Sequence, residues 1–207
     1  MPPRAALDAL NRMAPALLGL LEATQVVNDA DLRRDIVTVL TSDQAVYPVD
    51  AGIHLLRLAN NQPARRTRLS VRLDVLSAHC AAILTQRLQQ PERRADDWSI
   101  PTPGKCRCAL CRTLGEFLVA RNQVQFDWPL AKDARAHIHR VLDQHALPVT
   151  HVTRRVGRPF TLVLRKTDVL FEREAADRRK WREDLSWLRG SPAAPDDPGE
   201  DRLVRSR

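Results

Sequence analysis

Glycine, aromatic residues and lysine are all scarce in this chain. Seven glycines are scattered over 207 residues, too few and too dispersed for a phosphate-cradling loop. Neither a His-Glu-x-x-His helix nor a Gly-x-Ser-x-Gly elbow is present. No run approaches the ~18 uncharged apolar residues that a spanning helix needs, so no membrane association is expected. Four cysteines, three of them between positions 106 and 111, do not make the spaced framework of a secreted disulfide scaffold. The N-terminal apolar stretch Ala14 to Leu21 is interrupted by Pro15 and followed by Glu22, unlike the order of a signal peptide. Together these features predict a reducing, cytoplasmic location.

What the chain has in abundance is alanine, leucine and arginine, which with 4% aromatics points to a helix-weighted core. Arginine outnumbers lysine 29 to 4, a bias that a GC-rich genome produces without functional cause. The net charge of +8 is unevenly placed. Residues 1–100 carry 12 basic and 11 acidic side chains, whereas residues 101–189 carry 18 and 10. Such a localised excess either steers the protein toward an anionic partner or forms a solvated face.

Apolar residues recur at helical spacing at Leu7, Leu10, Ala14, Leu17 and Leu21, then at Leu32, Ile36 and Val39, and then at Val49, Ile53 and Leu56. Asp29 or Asp31 is placed to cap the second helix, and Pro48 suits the first turn of the third. A longer pattern from Thr67 to Gln90 predicts a fourth. This half resembles stacked helical hairpins, as in a piece of an α-solenoid, although no self-similar repeat recurs. Pro91 to Lys105, with Pro91, Pro101, Pro103 and Gly104, reads as a linker. Beyond it come a helix at Ala109 to Ala120, a strand at Val124 to Trp128 and a helix at Ala131 to Ala146. A hairpin of Val149 to Arg155 with Phe160 to Thr167 follows, then a last helix carrying Phe171, Trp181, Leu185 and Leu188. The expected fold class is α+β, mainly helical. It divides into a helical segment 1–95, a cysteine-cluster domain 96–189 and a disordered tail 190–207.

Cys106-Arg107-Cys108-Ala109-Leu110-Cys111 is the one constellation with chemical content. Cys108 and Cys111 project to one side of a helix start, and the turn-rich lead-in with Pro103 and Gly104 folds Cys106 back toward them. The helix N-terminus and the neighbouring Lys105, Arg107 and Arg112 favour thiolate, the metal-binding form. Zinc takes four tetrahedral N or S ligands, so three cysteines need a fourth. His137 flanks the buried face of its helix and is the preferred ligand. His139, His145, His151 and Cys80 stay open as alternatives, although Cys80 occupies an apolar helix position and reads more simply as core. A four-thiolate iron–sulfur cluster would require Cys80. A Cys108/Cys111 redox pair leaves Cys106 unexplained.

The series Cys106-x-Cys108-x-x-Cys111, Phe126-Asp127-Trp128-Pro129-Leu130-Ala131-Lys132, His137-Ile138-His139, Thr150-His151-Val152-Thr153-Arg154-Arg155-x-Gly157-x-Pro159 and Thr161-Leu162-Val163 resembles the C-terminal region of large bacterial and fungal proteins related to 2-oxoglutarate and iron dependent, prolyl 4-hydroxylase-like oxygenases. The likeness spans roughly residues 106–188. It implies an accessory region and a protein partner, an oxygenase chain among the candidates, without the activity: no histidine here is followed two residues later by an acid, as those iron sites require. The functional expectation is a non-catalytic binding or scaffold module with a structural zinc site. One alternative is nucleic-acid binding through Arg154, Arg155, Arg158, Arg165 and Lys166 on the hairpin. The other is an enzyme of unrecognised type that uses the cysteine cluster.

Overall fold

The structure, a computed structural model, describes residues 4–61, 73–104 and 106–190. Lys105, the start of the pattern at Thr67 and the predicted tail beyond Gly190 lie outside them. Two compact units emerge. One takes the described residues up to Gln90 together with those from Lys180 onward; the other is Pro91–Arg179.

The first unit is all helical, with α1 (Arg4–Val26), α2 (Ala30–Ser42), α3 (Val49–Asn60) and α4 (Leu73–Gln89). Helix α1 runs through Pro15, which forgoes one backbone N–H bond. Ala14, Leu18 and Leu21 still form one buried stripe along it. The side chain of Asp29 accepts the Leu32 N–H and starts α2. Pro48 is the residue just ahead of α3 rather than in its first turn, and its carbonyl accepts from Ala51 and Gly52. Leu56, Leu84 and Leu21 are fully buried at the centre of the unit. The last turns of α7 (Val169–Leu188) belong here: Leu185 joins the core, and the buried Asp184 pairs with Arg57 at 2.7 Å and Lys180 at 3.3 Å. An apolar cavity of about 270 Å³ lies among Leu10, Met13, Leu17, Tyr47 and Leu55. Among the described residues, no helix is long and apolar enough to cross a membrane.

The second unit holds α5 (Ala109–Val119), β1 (Gln125–Pro129), α6 (Lys132–Gln144), β2 (Val149–Arg154), β3 (Thr161–Lys166) and the start of α7. The three strands form an antiparallel sheet in the order β1-β3-β2, with Phe126 and His151 both opposite Leu164. Alternation sorts the side chains. Leu162, Leu164, Phe126, Trp128 and Val149 join Phe117, Leu118, Ile138 and Leu142 in one core, while Thr150, Val152 and Arg154 stay exposed. The hairpin turns through Gly157, whose φ of +75° suits glycine alone at no steric cost. The expected class, mainly helical α+β with a small sheet, is the one seen.

Pro91 to Gly104 has no helix or strand, yet it is built into this unit instead of linking two. Ile100 is 3% exposed in the core and its N–H donates to the Leu118 carbonyl at 2.8 Å. Trp98 packs edge-on against Phe171 with ring centroids 4.9 Å apart. The Arg93 guanidinium ties Glu174 at 2.6 Å and the Ser99 carbonyl at 2.7 Å. The unit therefore begins at Pro91, not at residue 96, and the end of α7 falls in the other unit.

Candidate metal centre

The centre is made by the start of α5 and one face of α6. Cys108 is the residue that caps α5, with extended backbone (φ −68°, ψ 161°). Its sulfur accepts the Cys111 N–H at 3.4 Å, in the place a serine or aspartate oxygen usually takes. That geometry sets Cys108 and Cys111 on one side, one helical turn apart. Cys106 comes from the loop before them. On α6, Ile138 and Leu142 are buried, which fixes the helix rotation and leaves His137 half-buried beside the core stripe, facing α5. His137 Nε2 lies 3.2 Å from Cys111 Sγ and 3.5 Å from Cys108 Sγ. The ligand atoms of Cys106, Cys108, Cys111 and His137 all lie within 4.8 Å of one another, close enough to bind a metal ion.

The local electrostatics split the thiols. The Cys111 backbone N–H, aided by the Cys106 thiol, pulls Cys108 down to about 6, whereas burial and the adjoining Cys106 and Cys108 push Cys111 up to about 12. The two shifts favour the thiolate at Cys108 and the thiol at Cys111. A metal ion changes that balance by taking thiolates. Arg140 approaches Nδ1 of His137 at 3.4 Å. Arg107 and Arg112 line a cavity of about 540 Å³ together with Cys106 and Cys111.

The other candidate ligands are elsewhere. His139 projects from the opposite side of α6 and meets His151 of β2, Nδ1 to Nδ1 at 2.6 Å. Burial, and then His151, hold His139 below the usual imidazole value. His145 closes α6 and is exposed. Cys80 is buried in the helical core, where desolvation pushes its thiol up to about 12. Sequence reasoning kept His139 and His151 as substitutes for His137 and missed their pairing. The signal for it was the alternation of β2, which puts His151 on the same face as Val149 and Thr153.

The hairpin basic set does not act as one patch. Arg154 is engaged by Asp127 of β1 at 2.9 Å. Arg155, Arg158 and Arg165 are exposed. Lys166 must be removed from the set because it is 1% exposed. Its Nζ donates to the Leu118 and Ala120 carbonyls at 3.0 and 2.7 Å and lies 4.8 Å from the centre of the Phe117 ring. It thus closes the C-terminal end of α5. Burial lowers its amine to about 8. Its parity with Leu162 and Leu164 on β3 already placed it on the core face.

No family model, curated protein or solved structure matches this chain.

Proposed function

We propose that the chain is a non-catalytic binding or scaffold module whose α+β unit is held together by a structural zinc ion on Cys106, Cys108, Cys111 and His137. The observation that carries this reading is the three-sulfur, one-nitrogen cluster itself. Zinc–sulfur and zinc–nitrogen bonds of about 2.3 and 2.0–2.1 Å at tetrahedral angles put sulfur and nitrogen about 3.6 Å apart. The spacings of 3.2 and 3.5 Å to His137 are close to that. Four protein ligands leave no open position for substrate, the pattern of a structural site. The imidazole in the fourth place also favours zinc over an iron–sulfur cluster. Three reduced thiols suit a cytoplasmic setting.

The likeness to oxygenase C-terminal regions, which rests on the sequence motifs, makes a separate oxygenase chain the protein partner to try first. Metal analysis of protein purified without added metal tests the centre: about one zinc per chain is expected, and metal-free protein whose melting is unchanged by Cys108→Ser would dispose of it. Pure protein supplied with iron and 2-oxoglutarate is expected to form no succinate, and turnover would overturn the non-catalytic reading. With Arg154 engaged and Lys166 buried, nucleic-acid binding should be weak, sequence-blind and lost steeply with salt. Tight, sequence-selective binding at moderate salt would displace the scaffold reading.

A further inference from the structure

Away from the cysteines, α6 and β2 bring a second pair of metal-ligating side chains together. His139 Nδ1 and His151 Nδ1 face each other at 2.6 Å, with ring centroids 4.9 Å apart and planes tilted by 56°. The remaining nitrogen of each ring has its own partner. His151 Nε2 is 3.2 Å from Asp143 Oδ1, and His139 Nε2 is 3.4 Å from Thr153 Oγ1.

A carboxylate on the far nitrogen decides the tautomer. His151 donates its Nε2–H to Asp143, which leaves the Nδ1 lone pair directed at His139. Thr153 is free to accept or donate, so His139 can present either a proton or a second lone pair at Nδ1. The 2.6 Å gap between the two nitrogens is therefore filled either by the Nδ1 proton of a neutral His139 or by a metal ion. A carboxylate–histidine pair aimed at a common point is the outer-shell arrangement that metal-bound imidazoles use.

We propose that His139 and His151 form a second, exchangeable site for a divalent transition metal of the zinc class, oriented by Asp143 and Thr153. Two neutral imidazoles suit zinc and its neighbours rather than magnesium or calcium. Binding moves the His139 proton from Nδ1 to Nε2, where Thr153 Oγ1 accepts it, so that both imidazoles stay neutral, and opens the nitrogens to about 3.3 Å, the spacing of two tetrahedral zinc–nitrogen bonds. His139 and His151 are only partly buried, so water completes the coordination, and a site with two protein ligands holds its ion less tightly than one with four. Residues 137 and 139 are about 200° apart around a helix of 3.6 residues per turn, so the two sites lie on different sides of α6. The second would pin α6 to β2.

The test is zinc titration of the full chain by calorimetry, with the tight equivalent already bound. Wild type is expected to take up one further, weaker equivalent. His151→Gln should abolish that equivalent and leave the tight one. Asp143→Asn, a milder change outside the coordination sphere, should weaken it about 10–100-fold. His139→Gln repeats the test from the helix side, with circular dichroism to establish that each variant is folded. Absence of a second equivalent in wild type, or its survival in folded His151→Gln and His139→Gln, would overturn the proposal. If the tight equivalent itself is missing, the structural-zinc reading falls, while loss of the weak one on His151→Gln still supports the site proposed here.

Discussion

The two units solve the same stability problem with unequal means. Among the described residues, the helical unit gathers sixteen buried side chains into one cluster, including Leu21, Leu56 and Leu84 at no exposure, and the α+β unit gathers eleven. A small core leaves little surplus over conformational entropy, and small natural domains make up the shortfall with disulfides or metals. The four side chains that lie close enough to bind a metal ion are in the unit with fewer buried residues. In the helical unit the polar counterpart is an ion-pair group around the buried Asp184. One unit rests on leucine packing, and the other combines a thinner core with a cluster of side chains on and before α5 and on α6 that lie close enough to bind a metal ion.

Metal removal should break this comparison most sharply. Apparent zinc binding energies of ~10–16 kcal/mol in small zinc domains are folding energy outright. A strong chelator, or Cys111→Ser, is therefore expected to abolish amide protection in α5, α6 and the sheet. The cores of α1 and α3 should keep theirs. Hydrogen exchange read by mass spectrometry checks both at once, and equal loss in the two units would end the distinction.

The reverse experiment strikes the packed unit. Leu56 is fully buried, and truncation of such a leucine costs ~2–5 kcal/mol, depending on how far the cavity collapses. Leu56→Ala should lower the unfolding free energy of the helical unit by that amount, read from a lower denaturant midpoint, and leave zinc stoichiometry at the cysteine cluster unchanged. Altered zinc content would mean that the units are not independent in the way their cores suggest.

How much of this could be read in advance depends on the range of the interaction. Helical and strand periodicities are local, and they located all seven helices and three strands of the described residues to within a few positions, with α4 seen only from Leu73. The cysteine triad was legible because its three members are neighbours in sequence, and His137 because the stripe through Ile138 and Leu142 fixed its direction. Arg93, by contrast, gains its meaning from Glu174, eighty-one residues away, and no local pattern distinguishes such an anchored segment from a linker. The end of α7 was assigned by sequence continuity, whereas Asp184 and Leu185 are held by residues of α3 and its neighbours. Lys166 was read as a surface cation by residue type when its strand parity gave the better signal.

Lys166 supplies a smaller, pH-dependent contrast within the thinner core. Its amine is lowered to about 8 from an ordinary 10.5. Below pH 8 the group is charged in folded and unfolded chains alike, and the burial cost is fully present. Between pH 8 and 10.5 the unfolded chain retains a proton that the folded one has released, so stability rises with pH. Wild type should gain about 1–3 kcal/mol across that window relative to Lys166→Met, measured by urea unfolding of the α+β unit. Parallel pH profiles of the two proteins would show that the lysine is not paying for its burial.

The smallest expected effect concerns the end of α6, close to both histidine sites. Ala146 has φ +45°, a left-handed conformation in which any side chain is strained. The surrounding hydrogen bonds explain why it is held there: the Leu147 N–H reaches the Leu142 carbonyl at 3.2 Å, and the Ala146 N–H reaches that of Asp143 at 3.1 Å. This is a helix-terminating motif that ordinarily carries glycine. Arg173 further donates to the Ala146 carbonyl at 2.7 Å. Ala146→Gly removes the steric cost and keeps every one of these backbone bonds, at the expense of more freedom in the unfolded chain. A net gain of about 1 kcal/mol or less is expected, visible as a slightly higher midpoint for the α+β unit alone. Because α6 carries His137 on one side and His139 on the other, a firmer C-terminal end should leave both zinc affinities within a factor of about three, a shift of well under 1 kcal/mol. A loss of stability in Ala146→Gly would mean that the strain at Ala146 costs less than the freedom glycine adds to the unfolded chain.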